Sequence, residues 1–337
     1  MVNDSVSRRS FLQNVGLVTG GIAAWSSATG CGQTAANWSK KRLVQVLSGV
    51  HNFLTTPFFP DFRLDAEGLR RNVSFHARSM AENMTIVVSG GLGEIFSLSV
   101  DEHKRLVEAA VAGAEGKMPV VAGVGGGYRN ALLMARNAER AGATAIFIYA
   151  NPLACDQAAG ALQYVSEVAK SVRIGAMAYP CAQGDFWPEV LRALIQLPNV
   201  MGFKDPSGEL NVGAPLVSDE FLWVAEGEGH AEKTLPAGGQ AYTTAVATFV
   251  PRASLEFWRR GTVGDVKAMR TIREQRIDPI VKLRNVQSGY GISGIKVALE
   301  ALGRAGGPVR PPGTQVAEQD RVEIATIARK HAEKIEG

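Results

Sequence analysis

Val200-Met-Gly-Phe-Lys-Asp-Pro-Ser-Gly208 is an apolar run that ends abruptly in Lys204-Asp205 and then breaks into a turn. A short apolar run bounded by turn residues reads as a buried strand. A lysine delivered at the C-terminal end of such a strand is partly withdrawn from water, which lowers its pKa and makes its amine a nucleophile toward carbonyls. The same segment also fits a lysine that snorkels at a strand end with its ammonium in solvent. The pattern around it decides between the two.

Outward from Lys204 the chain alternates short apolar runs with longer helical ones. Gly49 to Thr56, Met84 to Ser89, Pro119 to Gly123, Ala145 to Tyr149, Ile174 to Tyr179, Val200 to Lys204, Phe221 to Ala225 and Ala241 to Ala245 read as strands. Between them Asp101 to Glu115, Ala131 to Ala141, Leu162 to Ser171 and Pro188 to Gln196 carry apolar residues at three-to-four spacing and read as helices. Strands alternating with helices over roughly 250 residues predict an α/β chain folded as a (β/α)8 TIM barrel. The competing doubly wound sheet needs a glycine fingerprint after an early strand, and Gly123-Val-Gly-Gly-Gly-Tyr128 has tyrosine where the last glycine belongs. Those glycines fit a tight strand-to-helix turn.

A barrel of this kind assembles its active site from the C-terminal ends of the strands. The positions that matter are then Thr55 and Thr56, the turn from Ser89 to Glu94, Tyr149, Tyr179, Lys204, the stretch Glu226 to His230, and Thr243 with Thr244. Lys204 falls where chemistry is done.

The chain has 337 residues, 46% hydrophobic and 20% charged, an ordinary globular composition. Its +4 charge comes from 36 basic and 32 acidic residues without a long basic run, which excludes a nucleic-acid role. Ser7-Arg-Arg-Ser-Phe-Leu12, followed by a weakly apolar stretch from Val15 to Ala24, resembles a twin-arginine export signal, although Gln13 stands where lysine is usual. Ala28-Thr-Gly-Cys31 resembles a lipoprotein processing site, with Cys31 as the acylated residue and the only link to a membrane. The expected organisation is an export signal over 1–30, a linker over 31–45, the barrel over 46–300 and a C-terminal helical extension over 301–337, with helix around Glu318 to Lys334. The expected location is the periplasm or the outer face of the membrane. Cys155 and Cys181 are too few for a disulfide framework; a pair between them and two core or loop thiols both remain open. No His, Cys, Asp and Glu cluster has metal-ligand spacing, so neither metal nor cofactor is expected.

Gly90-Gly-Leu-Gly-Glu94, then Phe96-Ser-Leu-Ser-Val-Asp-Glu102, then Tyr179 closing the fifth strand and Gly202-Phe-Lys-Asp205 closing the sixth, occur in the order seen in the class I superfamily of dihydrodipicolinate synthase and N-acetylneuraminate lyase, which the chain resembles from about residue 48 to 315. Within it, Tyr242 to Pro251, Leu283-Arg-Asn285, Gly289-Tyr290, Ile295-Lys296 and Gly307-Pro-Val-Arg-Pro-Pro312 look like the 5-dehydro-4-deoxyglucarate dehydratases. The resemblance implies that Lys204 forms an imine with a small 2-oxo acid, that Tyr179 is the general acid/base, and that the reaction is dehydration with decarboxylation of a 4-deoxy-5-oxo sugar diacid. A synthase-like or pyruvate aldolase step, and an exported non-catalytic 2-oxo acid binder, are the rival readings. It also implies a homo-oligomer, dimer or tetramer. Tyr179 by itself equally fits a barrel tyrosine with a satisfied hydroxyl.

In that resemblance Gly90, Gly91 and Leu92 form a turn whose backbone amides receive the substrate carboxylate, helped by a following helix N-terminus, with Thr243 also on the substrate. Glu94 reads as structural. The superfamily's synthases and aldolases carry two threonines in this turn; here Gly91 and Leu92 supply no hydroxyl, and Ser89 is the expected substitute. Pro180-Cys-Ala-Gln-Gly184 replaces the usual asparagine after the tyrosine, and no arginine stands nearby for a distal carboxylate, leaving Lys233 or Arg284 as candidates. His230 reads as a loop histidine or a substrate contact.

Overall fold

The computed structural model describes residues 35–79, 82–150, 157–180, 187–208 and 216–334. The expected export signal, Cys31, Cys155 and, past Pro180, the segment from Cys181 to Gly184 lie outside the described residues. Eight strands, β1 (Gly49–Phe53), β2 (Met84–Val88), β3 (Val120–Gly125), β4 (Ala145–Tyr149), β5 (Gly175–Tyr179), β6 (Val200–Asp205), β7 (Leu222–Glu226) and β8 (Ala241–Thr244), pair in chain order, and β8 returns to β1 to close a barrel. Every pairing is parallel, including Val50 with Tyr242 across the closure. The strands stand where their apolar runs predict them. The largest shift is at β1, which leaves the ladder after Phe53, so that Thr55 and Thr56 lie beyond the strand end.

Helices α1 (Lys40–Leu47), α2 (Ala66–Ser79), α3 (Val100–Ala114), α4 (Tyr128–Ala141), α5 (Ala158–Lys170), α6 (Trp187–Leu194), α7 (Gly227–Thr234), α8 (Pro251–Thr262), α9 (Val266–Ile272), α10 (Ser293–Ala301) and α11 (Glu318–His331) surround it. Strand alternation sorts the core into two shells. Ile146, Ile148, Ala176, Ala178, Phe203 and Trp223 face the helices, while Phe53, Val87, Phe147, Tyr149, Met177 and Val224 fill the barrel.

The segment expected as a linker departs from that expectation at α1. Ser39 caps the helix, its hydroxyl accepting the Arg42 N–H at 3.2 Å. Leu43, Val44 and Leu47 then fall on one face and join the inner cluster beside Ala145, Leu222 and Ala241, which open their strands, so α1 stoppers the N-terminal end of the barrel. Burying those three side chains contributes roughly 5–8 kcal/mol as an upper figure. The opposite, C-terminal end is the polar one.

Candidate active site

Three adjacent strands each end in one inward-facing functional group. Tyr179 closes β5, Lys204 precedes the last residue of β6, and Glu226 closes β7. The Lys204 Nζ donates to Glu226 Oε1 at 2.9 Å. The Tyr179 hydroxyl donates to the same oxygen at 3.1 Å and lies 3.4 Å from Oε2. The ammonium also stands 3.6 Å from the centroid of the Tyr179 ring and 5.5 Å from that of Phe53, both within cation–π range. The Lys204 side chain is only 6% exposed, whereas that of Glu226 is 38% exposed. The lysine therefore sits beneath, with its partner carboxylate toward the mouth. This is a held amine, not a snorkelling one.

Asp205 explains how the strand stops there. Its Oδ1 accepts the Ser207 N–H at 2.8 Å and the Ser207 hydroxyl at 2.6 Å, and its Oδ2 accepts the Trp223 indole N–H at 3.3 Å. Alternation sends Asp205 outward as Lys204 goes inward, and the side chain folds the Pro-Ser turn back on itself.

The expected carboxylate turn follows β2. Ser89 and Glu94, at φ 50° and 55°, bracket it in the left-handed region. The Glu94 N–H donates to Gly91 C=O at 3.1 Å and the Ile95 N–H to Gly90 C=O at 3.2 Å. Among the described residues no hydrogen bond uses the amides of Gly91 or Leu92. A Cβ on Gly91 would meet nothing within 4 Å, so a ligand can approach that backbone. Leu92 is half-buried against both core shells. Ser89 is fully buried and its hydroxyl donates to Gly123 C=O at 2.8 Å, so it serves strand β3 and not the ligand side of the turn. Thr243 lies opposite Glu226 in register, and its hydroxyl accepts the Gly227 N–H at 3.3 Å.

The turn is braced from the far end of the sequence. Glu94 pairs with the buried Lys296 at 2.5 Å and accepts the Arg310 N–H at 2.8 Å, and Lys296 also donates to Pro308 C=O at 2.6 Å. The Arg310 side chain donates to Glu102 at 2.9 Å and to Ser97 C=O at 2.7 Å. Hydrogen bonding to that guanidinium holds the Glu102 carboxyl down at about 2. Burial lowers the Lys296 ammonium, and the Glu94 carboxylate opposes it. Thr56 adds a hydroxyl donated to Gly93 C=O at 2.6 Å.

Other candidates lie elsewhere. Arg284 donates to Gly291 C=O at 3.0 Å and faces Glu228, which bonds Thr244 on the outer face of β8. Burial there pushes the Glu228 carboxyl up and the Arg284 guanidinium down. Arg284 is thus behind the barrel wall, and Lys233 is exposed on α7. His230 is helical, within α7, its ring against Gly208. From sequence alone Glu226 has no role beyond opening the stretch Glu226 to His230 at a strand end. Its signal, a carboxylate at the end of an apolar strand next to the lysine strand, becomes specific only once β6 and β7 are known to be neighbours.

Residues 46–331 match the Dihydrodipicolinate synthetase family. A protein of Azotobacter vinelandii named probable 5-dehydro-4-deoxyglucarate dehydratase is 30% identical over 290 residues, covering 84% of this chain and 95% of that one. A likewise named protein of Ralstonia nicotianae is 31% identical over 296 residues, covering 86% and 94%. Among solved structures, dihydrodipicolinate synthase from Bacteroides thetaiotaomicron superposes with a TM-score of 0.76 at 20% identity, over 84% of this chain and 98% of that one. The Oceanobacillus iheyensis enzyme gives 0.75 at 22% identity, over 86% and 98%. These two likenesses are of fold. With the family match spanning strand β1 to helix α11, the chain belongs to the dihydrodipicolinate synthetase family and is a lyase on a (β/α)8 barrel.

Proposed function

We propose that this lyase works through an imine on Lys204 and dehydrates, with loss of carbon dioxide, a 4-deoxy-5-oxo sugar diacid to 2,5-dioxopentanoate. The observation that carries the imine is the shared carboxylate: Glu226 Oε1 accepts from both Lys204 Nζ and the Tyr179 hydroxyl. The names of the relatives support the choice of substrate.

Glu226 takes a proton from the Lys204 ammonium, and the free amine adds to the 2-oxo carbon. Water leaves, and the protonated imine draws electrons from the neighbouring carbon. That carbon gives up a proton to the Tyr179–Glu226 pair, and the enamine electron pair expels the hydroxyl one carbon further as water with a proton from Tyr179. The distal carboxylate then leaves as carbon dioxide, its electron pair passing through the new double bond to the imine while a proton from solvent takes up the freed position on carbon. Tyr179 stands 3.1 Å from Glu226, close enough to regain a proton from it. The amides of Gly91 and Leu92 receive the carboxylate beside the imine. Imine hydrolysis returns Lys204.

The twin-arginine motif from Ser7 to Leu12 supports export to the periplasm or to the outer face through a lipid on Cys31. The resemblance supports a homo-oligomer, dimer or tetramer. Leu92, which gives the carboxylate turn no hydroxyl, favours a second reading in which the protein binds 2-oxo acids without turning them over. A panel of 2-oxo sugar acids incubated with the mature protein tests the function. Carbon dioxide release with a dehydrated product is expected; pyruvate release means an aldolase step, and saturable binding without product means the binder.

A further inference from the structure

We propose that Tyr149 is a specificity residue of the carboxylate subsite, its phenol donating a hydrogen bond to the carboxylate that sits beside the imine carbon. This rests on the reading above, in which the turn after β2 receives that carboxylate.

Tyr149 closes β4 on the inner face, following Ala145 and Phe147, and is 2% exposed. Its ring meets that of Tyr179 edge-on, with centroids 5.1 Å apart and planes at 87°. Glycines define the space it occupies. A Cβ on Gly125 would stand 2.9 Å from the Tyr149 Cβ, one on Gly123 would stand 2.9 Å from its Cε2, and one on Gly90 would stand 2.6 Å from its hydroxyl oxygen. A real Cβ does not tolerate such distances, so side chains at these positions would push the ring away. Gly123-Val-Gly125, whose spacing only weakly resembles a phosphate-binding fingerprint, is thereby a slot for an aromatic ring. Gly90 lets the hydroxyl reach the backbone of the carboxylate turn.

The chemistry of the neighbours fits one role for that hydroxyl. Leu92 supplies none, the Ser89 hydroxyl is bonded to Gly123, and the Thr56 hydroxyl is bonded to Gly93. A phenol stays protonated at neutral pH and is a donor to carboxylate oxygens. Beside the amides of Gly91 and Leu92 it gives the turn a side-chain donor, selecting 2-oxo acids over plain ketones. Its edge contact with the Tyr179 ring ties carboxylate binding to the position of the acid/base.

Calorimetric titration of Tyr149→Phe with pyruvate and with acetone, a ketone lacking the carboxylate, tests this, with borohydride reduction run alongside. A charge-assisted hydrogen bond of ordinary strength predicts roughly 10- to 100-fold weaker pyruvate binding, acetone binding as in the unsubstituted protein, and an unchanged melting temperature. Unchanged pyruvate binding, or equal weakening of both ligands, overturns the proposal. If borohydride traps no adduct in the unsubstituted protein, the imine on Lys204 fails as a reading. The change in pyruvate affinity on Tyr149→Phe still decides the role of Tyr149.

Discussion

Lys204 is held by its neighbours in a way that assigns each a task. The Phe53 and Tyr179 rings hold its ammonium, and Glu226 is both its counter-ion and the acceptor for the Tyr179 phenol. In the mechanism proposed above, this carboxylate, bonded to both the Lys204 amine and the Tyr179 phenol, is a proton path between the nucleophile and the acid/base. Glu226→Gln keeps the shape and removes the proton acceptor, so turnover is expected to fall about 100- to 10,000-fold with substrate affinity far less changed, as read by steady-state kinetics. A loss confined to KM would make Glu226 a binding residue only. Lys204 and Tyr179 are legible in the sequence because each ends an apolar run and stands in an ordered set of motifs. Glu226 is not, since its separation of 22 positions from Lys204 follows no spacing rule and only the pairing of neighbouring strands in the barrel brings them together.

At the scale of elements, the turn after β2 owes its shape to the C-terminal part of the chain. Ile295-Lys296 and Gly307 to Pro312 read in the sequence only as marks of resemblance; in the fold, Lys296 and Arg310 converge on Glu94 and hold it in its left-handed conformation. Removing one side of a buried pair leaves the other charge uncompensated. Lys296→Met is therefore expected to cost about 3–5 kcal/mol of stability, measured by denaturant unfolding. A cost below about 1 kcal/mol, the range of a surface pair, would contradict a buried brace. The resemblance makes Glu94 structural, but what it braces is not legible in the sequence, because its partners lie some two hundred residues away. Helix α1 escaped for another reason. Its eight residues begin with three basic side chains, and the apolar face of Leu43, Val44 and Leu47 is too short to show a period on its own.

Across the whole molecule, strand buried on both faces reads as continuous apolar sequence, which is why all eight strands are legible while the inner and outer shells are not. The same burial sets the stability against pH. Desolvation pushes the His51 and His103 imidazoles down to about 4 and that of His76 to about 3. His51 and His103 each donate from Nε2 to a backbone carbonyl, of Leu47 and Gly123, which the neutral ring can do. In the unfolded chain these rings titrate near 6.5. Between pH 6.5 and about 4 the unfolded state binds protons that the native state refuses, so stability is full above pH 7 and falls as the pH drops through that window. Three such groups predict a slope of about 4 kcal/mol per pH unit near pH 5, checked by urea midpoints. A flat profile from pH 7 to 5 would contradict neutral buried rings.

The claim on which the mechanism stands is the imine, and mass spectrometry after borohydride reduction with pyruvate reads it directly. The account predicts one reduced pyruvate adduct per chain on the peptide containing Lys204, lost in Lys204→Ala. An adduct on another lysine, or none with any 2-oxo acid, would contradict it.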